Sequence, residues 1–275
     1  MDIPEIIKQL ETYGFAVDEG VVPQDECSKM AEILDKIEEE RTTAGTISYK
    51  TDAQVTIDNI HLIRPDIFLN KINIPKVMDV AAAVFSERFI LSSFNASRSG
   101  PRGGCNPHND ARIPVSDFSN TTQLICAICL DDFTAKNGAT VAWPFSHKSG
   151  IDVPDHVHSI NDIPGKISCE APRGSVLYTL AQLWHDIGPN LDGKRRWCIH
   201  AAYSRWWVKQ VYDFPRCGET IFNQLTPEQK ILFGFTSRPP LIGGARRYTV
   251  TKIEDLPDSY EEVLKFYLPF KYNSN

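Results

Sequence analysis

The sequence lacks any apolar run close to the roughly 20 residues that a helix needs to cross a bilayer. Its N-terminus mixes polar and apolar residues instead of placing an apolar block after a basic start, so we expect no secretory signal and no membrane partner. Basic residues are also in the minority: 29 Lys and Arg stand against 35 Asp and Glu, and the net charge is −6. This balance argues against nucleic acid as a partner.

The cysteines lack the pattern of a disulfide framework. They number seven in a chain of 275 residues, which favours a reducing, cytoplasmic location. "CAIC" at 126–129 has the spacing of a zinc or redox motif, but it lies in "TQLICAICLDDF", whose composition is typical of a strand. In a strand, an offset of three places two side chains on opposite faces. We therefore interpret Cys126 and Cys129 as buried small side chains.

The first part of the chain is mainly helical in its pattern. Residues 3–13, the stretch that begins at Pro23 and "IPKVMDVAAAVFS" show the apolar spacing of amphipathic helices. One early strand, "GFAVDEGVV", lies among them. The polar stretch "TTAGTISYKTDAQVTI" has few apolar anchors and is interpreted as a loop. These features predict a helical N-terminal part over about 1–87.

From residue 88 onward, short runs rich in β-branched and aromatic residues alternate with turn residues. One of these runs, "SVLYTLAQLWHDI", is interpreted as a single strand. "TPEQKILFGF" has the pattern of a capped helix near 226–235, and "RPPLIGGARRYT" that of a loop. With no internal repeat and no low-complexity linker, we predict one domain over 1–275, with a β sandwich or barrel over about 88–215 and a C-terminal helical and loop segment.

A candidate metal site begins in "GCNPHNDARIP", where His108 and Asp110 are two positions apart. In an extended segment such residues point to the same side and present one nitrogen and one oxygen to one point. The triplet alone is weak evidence, because it is frequent by chance. His185, near the end of an apolar run, is the fitting third ligand. Two histidines and one carboxylate on one face suit non-haem Fe(II) that reacts with dioxygen.

An arginine pair follows that histidine across a turn. Strand alternation places Arg196 on the same face as Cys198 and His200. An arginine that points into the interior needs a counter-charge, which a dicarboxylate would provide through paired hydrogen bonds. A shift of one residue would give this role to Arg195, so both alternatives stay open. His200 is interpreted as a core histidine whose hydrogen bonds are satisfied.

In combination, these segments resemble the phytanoyl-CoA dioxygenase (PhyH) family of Fe(II)- and 2-oxoglutarate-dependent oxygenases. The family shows H-x-D, an Asn-Gly segment leading to a "PGSHK"-like motif, and a His followed eleven residues later by an Arg. Here these are His108 with Asp110, then "DDFTAKNGATVAWPFSHK", then His185 with Arg196. The resemblance covers most of residues 13–236. One departure is Phe145, which replaces the usual glycine of "PGSH", so we expect a reshaped turn or a narrowed pocket.

The resemblance implies a double-stranded β-helix (jelly-roll, cupin-like) core with flanking helices. It also implies that His108, Asp110 and His185 bind Fe(II) and are catalytic, that Arg196, Asn95 and Asn190 bind 2-oxoglutarate, and that O2 is the other cosubstrate. Succinate and CO2 would be released. Asp110 argues against the halogenating branch, in which a small residue replaces the carboxylate.

The resemblance leaves the exact reaction open. Hydroxylation of a small-molecule metabolite, for example in natural-product biosynthesis, is the default expectation, and desaturation, cyclisation and epimerisation are its variants. We expect either a monomer or a homodimer. A second hypothesis is a cupin-like metal-dependent hydrolase or isomerase that uses the same three ligands without 2-oxoglutarate. That alternative gives Arg196 no role.

Overall fold

The computed structural model of this protein describes residues 1–51, 54–100, 106–237 and 252–267. Within these ranges, eight α-helices flank a β core. The helices are Ile3–Tyr13 (α1), Gln24–Ala44 (α2), Ile60–Ile63 (α3), Pro65–Phe68 (α4), Pro75–Phe85 (α5), Glu219–Phe222 (α6), Pro227–Leu232 (α7) and Tyr260–Tyr267 (α8). None of the helices in the described ranges is long and apolar enough to span a membrane.

The β core consists of two antiparallel sheets. The strands are Phe15–Asp18 (β1), Tyr49–Lys50 (β2), Gln54–Asp58 (β3), Phe89–Ser99 (β4), Gln123–Cys129 (β5), Thr140–Ala142 (β6), Ile167–Ser168 (β7), Val176–Leu180 (β8), His185–Ile187 (β9) and Trp197–Arg205 (β10). The large sheet has the order β1-β8-β5-β10-β4-β3-β2, and the small sheet the order β7-β6-β9. This is the predicted jelly-roll arrangement.

One face of the large sheet, here called the outer face, packs against the helices. Phe94 of β4 and Ile199 of β10 are fully buried there, in one cluster with Leu10 of α1, Leu34 of α2 and Val80 of α5. The apolar spacing of these helices aligns their buried residues on one stripe, which explains why they lie flat on the sheet. Most of the hydrophobic core is therefore on this side.

The other face, here called the inner face, packs against the small sheet. Ala127 of β5 and Leu177 of β8 are in one apolar cluster with Ala142 of β6 and Leu183. Cys126 and Cys129 separate as predicted, since Cys126 belongs to the outer core and Cys129 to a small inner cluster. Ser97, Ala127 and Thr179 of the inner face are small side chains, and a cavity remains between the two sheets.

The structure corrects two of the strand predictions. The stretch "TTAGTISYKTDAQVTI", which we interpreted as a loop, contains β2 and most of β3. β3 pairs with β4 along Gln54–Asp58. Val55 and Ile57 are buried while their neighbours are only partly so, the alternation of a half-buried strand. The run "SVLYTLAQLWHDI" is not one strand, because β8 ends at Leu180 and β9 begins at His185, in the other sheet. "RPPLIGGARRYT" lies outside the described residues.

Candidate active site

The corner between β8 and β9 brings two distant parts of the chain together. His108 and His185 form an antiparallel bridge, in which the His108 amide donates to the His185 carbonyl over 3.0 Å and the His185 amide to the His108 carbonyl over 2.8 Å. The Asp110 amide donates to the Ala181 carbonyl at 2.7 Å. The segment of His108 is therefore an added extended piece at the edge of the small sheet, as the i, i+2 spacing requires.

The three predicted ligands converge at the mouth of the cavity. His108 Nε2 lies 3.9 Å from Asp110 Oδ1, and His185 Nε2 lies 3.6 Å from Asp110 Oδ2. One ligand atom from each residue lies within 4.8 Å of the others. Ligand distances of about 2.0–2.2 Å place donor atoms around one ion within this range of each other. His185 is largely buried, whereas Asp110 and His108 remain partly exposed.

Both imidazoles are oriented by the backbone. His108 Nδ1 lies 2.9 Å from the Asn106 carbonyl, and His185 Nδ1 lies 3.0 Å from the Leu183 carbonyl. A carbonyl partner at Nδ1 fixes the proton there and leaves the lone pair on Nε2 for a metal. Burial lowers the pKa of His185, which favours the neutral ring that a metal ligand needs. The donor set and its orientation fit a divalent cation.

Arg196 lies on the wall of the same cavity. Arg196 is only 2% exposed, and its guanidinium lies over the Phe133 ring, 4.2 Å from the ring centroid. Its Nε has no hydrogen-bond partner, and its Nη1 reaches only the sulfur of Cys198, at 3.8 Å. Among the described residues, no carboxylate forms an ion pair with it. A buried guanidinium without a carboxylate costs stability, so the arrangement is typical of a site for an anionic ligand.

Arg195 is placed differently from its neighbour. Its side chain points out of the cavity and pairs with Asp35 of α2, and its Nε lies 3.7 Å from Asp131. The geometry therefore favours Arg196 over Arg195 as the cavity arginine.

The two predicted amides do not reach the cavity wall. Asn190 is 5% exposed and holds its own turn: its Nδ2 donates to the Lys194 carbonyl at 2.8 Å and to Ser99 Oγ at 3.2 Å. Asn95 lies on the inner face, but its Oδ1 accepts the Asn59 amide at 3.2 Å. Their contact with a cosubstrate stays a prediction; in this structure both side chains hydrogen-bond protein groups around the site.

His200 occupies a more prominent place than its interpretation as a core residue suggested. It lines the cavity, and its Nε2 lies 3.0 Å from both Cys198 Sγ and Ser97 Oγ. Burial opposes ionisation of Cys198, but the His200 ring and the Arg196 guanidinium outweigh burial and lower the pKa of the thiol to about 6. In turn, burial opposes protonation of His200, but the sulfur outweighs it and raises the pKa of the ring. Each group therefore favours the charged form of the other.

The turn "PFSHK" supports the site from outside. Phe145 adopts the left-handed conformation that favours glycine, with φ of 71°. The residue is 56% exposed, and its ring lies beside that of Tyr13, with 5.6 Å between the centroids. It does not narrow the cavity. The next residue, Ser146, accepts the Trp184 amide at 2.9 Å and so holds the corner that carries His185. His147 is a buried structural residue with Nε2 3.2 Å from the Glu11 carbonyl.

The cavity has a volume of about 220 Å³, and its wall contains residues that the spacing of the motifs did not single out. They come from both sheets and include Gln54, Ser97, Ile125, Thr140, Leu177, Thr179, Asp186 and Ile187. Strand alternation from Arg196 predicts the face of β10, but it gives no information on which strands lie beside it. Ser97 and Thr179 therefore have no signal in the sequence that would mark them as wall residues.

Comparison with known sequences gives a family match and relatives that include two mycobacterial proteins. The model of the family described as "Phytanoyl-CoA dioxygenase (PhyH)" matches residues 10–198. The uncharacterized proteins Mb1539 of Mycobacterium bovis and Rv1501 of Mycobacterium tuberculosis are each 26% identical to this chain over 247 residues, covering 86% of this chain and 88% of theirs. The matched range contains the three predicted ligands and Arg196 and ends two residues before His200.

HygX and SnoN are among the solved structures that share the fold. HygX from Streptomyces hygroscopicus, crystallised with nickel and 2-oxoglutarate bound, has a TM-score of 0.63 at 14% identity, covering 75% of this chain and 88% of HygX. SnoN, a non-haem α-ketoglutarate-dependent epimerase from nogalamycin biosynthesis, has a TM-score of 0.57 at 19% identity, covering 74% of this chain and 83% of SnoN. At these identities the likeness concerns the fold alone.

Proposed function

Since this chain belongs to the phytanoyl-CoA dioxygenase family, we propose that it is an Fe(II)- and 2-oxoglutarate-dependent oxygenase that oxidises a small-molecule metabolite. Hydroxylation is the reaction we propose, with release of succinate and CO2. His108, Asp110 and His185 hold the ferrous ion in this proposal, and Arg196 holds the cosubstrate.

The observation that carries the proposal is the pairing of two features in one cavity. Three potential ligand atoms lie within 4.8 Å of one another at its mouth, and on its wall lies a buried guanidinium that no carboxylate of the described residues pairs with. A metal site alone is compatible with a hydrolase. A dicarboxylate that binds a metal at one end and an arginine at the other explains both features at once.

Each residue then has a defined task. His108 and His185 present Nε2 because backbone carbonyls hold Nδ1, and Asp110 adds a carboxylate oxygen between them. Arg196 binds the far carboxylate and fixes the direction of the cosubstrate in the cavity. When bound, ferrous iron supplies the activation of dioxygen and the oxidative decarboxylation of the oxo acid. The apolar wall of Ile125 and Leu177 excludes water from this space.

Asn190 is a positioning residue in this proposal. Its side chain closes the turn between the strand of His185 and the strand that begins after Arg196. By fixing that turn, it sets the depth at which Arg196 enters the cavity. Asn95 has the corresponding task on β4, where it holds the Asn59 backbone.

The substrate enters from the exposed side of the three ligands. Asn109, between His108 and Asp110, donates to Asp152 at 2.9 Å and so links the ligand segment to the loop that follows "PFSHK". These two loops border the mouth. The structural neighbour SnoN has been crystallised with Fe3+, α-ketoglutarate and nogalamycin RO. We propose correspondingly that a small molecule binds at the mouth of this chain's cavity. Epimerisation is the variant reaction that the likeness to SnoN favours.

The test is an anaerobic titration of the apoprotein with Fe(II) and 2-oxoglutarate, followed by visible absorption. We expect a metal-to-ligand charge-transfer band that saturates at one equivalent. His185→Ala abolishes the band, and His156→Ala, which removes an exposed imidazole elsewhere, retains it. Tight zinc binding without any response to 2-oxoglutarate would favour the hydrolase or isomerase alternative and refute the oxygenase. With the band established, succinate release against a panel of metabolites identifies the substrate.

A further inference from the structure

His200 has the surroundings of a ligand-binding residue rather than of a packing residue. It lines the cavity that also contains Arg196, and its Nε2 is taken by Cys198 Sγ and Ser97 Oγ, each at 3.0 Å. Among the described residues, no group hydrogen-bonds its other ring nitrogen, Nδ1. When the ring is protonated, Nδ1 therefore offers a ligand a single N–H donor.

The sulfur of Cys198 links this ring to the cavity arginine. Cys198 Sγ lies 3.0 Å from His200 Nε2 and 3.8 Å from Arg196 Nη1, and Arg196 directly precedes β10, which carries the other two side chains. Because the Arg196 guanidinium and the His200 ring contact the same sulfur, they lie within reach of one anionic ligand group.

We propose that His200 is a second carboxylate-binding residue of the cavity, which donates to the far carboxylate of the oxo acid beside Arg196. Cys198 and Ser97 hold the Nε2 side of the ring, which leaves Nδ1 for a ligand in the cavity that His200 lines. The inference rests on the proposed function, because it names a further contact of the same cosubstrate. Its consequence is selectivity: the wall recognises a dicarboxylic oxo acid and discriminates against an oxo acid that lacks the second carboxylate.

The experiment compares two nearly isosteric variants, His200→Asn and His200→Leu. The Asn amide places a donor close to the position of Nδ1, whereas Leu has none. We expect His200→Leu to weaken 2-oxoglutarate binding by roughly 10- to 100-fold, since a hydrogen bond to a charged group is lost, and His200→Asn to recover most of it. The dissociation constant is read from the anaerobic charge-transfer titration with Fe(II), which needs no turnover.

A monocarboxylic oxo acid, 2-oxopentanoate, separates recognition from structural damage. His200→Leu leaves its binding unchanged, because it has no far carboxylate, whereas a distorted cavity would weaken both ligands alike. Cys198→Ala is expected to lower affinity for 2-oxoglutarate by roughly 3- to 10-fold through loss of the ring's anchor. Cys126→Ala is the matched control, since it removes a buried thiol from the outer face of the adjacent strand.

The outcomes distinguish this inference from the proposed function. Wild-type protein that gives no charge-transfer band with 2-oxoglutarate refutes both. A normal band together with equal affinities in the wild type, His200→Asn and His200→Leu overturns only the role of His200. That role is overturned as well if His200→Leu weakens 2-oxopentanoate as much as 2-oxoglutarate, because the residue is then structural.

Discussion

The two faces of the large sheet are made by alternate residues of the same strands, yet they have opposite character. On the outer face of β4 and β10, Phe94 and Ile199 are fully buried against helices. On the inner face, the neighbouring positions are Ser97, Cys198 and His200, which surround a cavity. One face stabilises the fold through apolar burial, while the other keeps space and charge for a ligand.

The inner face keeps this charge at the expense of stability. Arg196 is 2% exposed and has no carboxylate partner in the described part of the chain, an arrangement that a fold selected only for stability would replace by a hydrophobic side chain. Substitutions on the two faces should therefore have different signatures. Outer substitutions change the free energy of unfolding, and inner ones change ligand affinity.

The largest effect is expected at the mouth of the inner cavity. Asp110→Ala removes the only carboxylate of the three-residue ligand set and should lower turnover by roughly 10³-fold or more, about 4 kcal/mol, together with iron retention. The fold should be unaffected, because Asp110 is partly exposed. Iron content after gel filtration and thermal unfolding measure the two quantities. Full iron loading in the variant would contradict the ligand role.

The opposite signature is expected for Phe94→Ala on the outer face. Its ring packs against His61 and the helices, so its loss should reduce the free energy of unfolding by about 3–5 kcal/mol. Below the transition temperature, the affinity for 2-oxoglutarate should remain within a factor of two. Phe145→Ala is the control, since it removes the same ring from an exposed turn. Urea denaturation measures the free energy of unfolding, and the charge-transfer titration measures the affinity for 2-oxoglutarate. Together they show which of the two properties the substitution changes.

The difference between the faces was predictable only in part. Alternation around Arg196, Cys198 and His200 predicted that these side chains share a face, because a strand has a strict period of two. The helices over 3–13 and "IPKVMDVAAAVFS" were confirmed, because their apolar spacing reports the side that they bury. The CAIC cysteines separated for the same geometric reason.

Other features have no local signal in the sequence. The corner between Leu180 and His185 interrupts an apolar run that shows no change of period, so the step from one sheet to the other is invisible. β2 consists of two exposed residues, Tyr49 and Lys50, and is defined only by its pairing with β3. The contact of the Asn190 side chain with Ser99 likewise depends on the tertiary fold. These are long-range consequences of packing.

Arg196→Leu sharpens the comparison because its two effects have opposite signs. Replacement of the unpaired guanidinium by an apolar side chain should raise the free energy of unfolding by about 1–3 kcal/mol. It should also weaken 2-oxoglutarate binding by roughly 100-fold, about 2.7 kcal/mol. Arg195→Leu is the matched control: its ion pair with Asp35 is partly exposed, so we expect a loss of at most about 1 kcal/mol and normal binding. A destabilised Arg196→Leu protein would show that the arginine is structural.

The smallest effect compares two histidines, the buried His61 on the outer side of the sheet and the half-buried His200 on the inner side. His61 lies among Phe94, Phe214 and Phe233, neither of its ring nitrogens has a hydrogen-bond partner among the described residues, and burial lowers its pKa to about 3. The folded protein therefore keeps His61 neutral while the unfolded chain takes up a proton below its pKa of 6.5. Stability is full above that pH and is lost as pH falls, by about 1.4 kcal/mol per unit. For His200, whose pKa is raised, the sign is reversed, and its contribution is lost as pH rises.

His61→Leu removes this acid-induced loss and leaves every other titration in place. The difference in unfolding free energy between the variant and the wild type should therefore grow by about 2 kcal/mol, in favour of the variant, between pH 6.5 and pH 5.0. Urea denaturation at four pH values in this window measures it, and the subtraction cancels the carboxylates that both proteins share. His156→Ala, which alters an exposed histidine, should show no such slope. A difference independent of pH would mean that His61 is hydrated or protonated in the folded protein, and the outer face would then hold a polar site of its own.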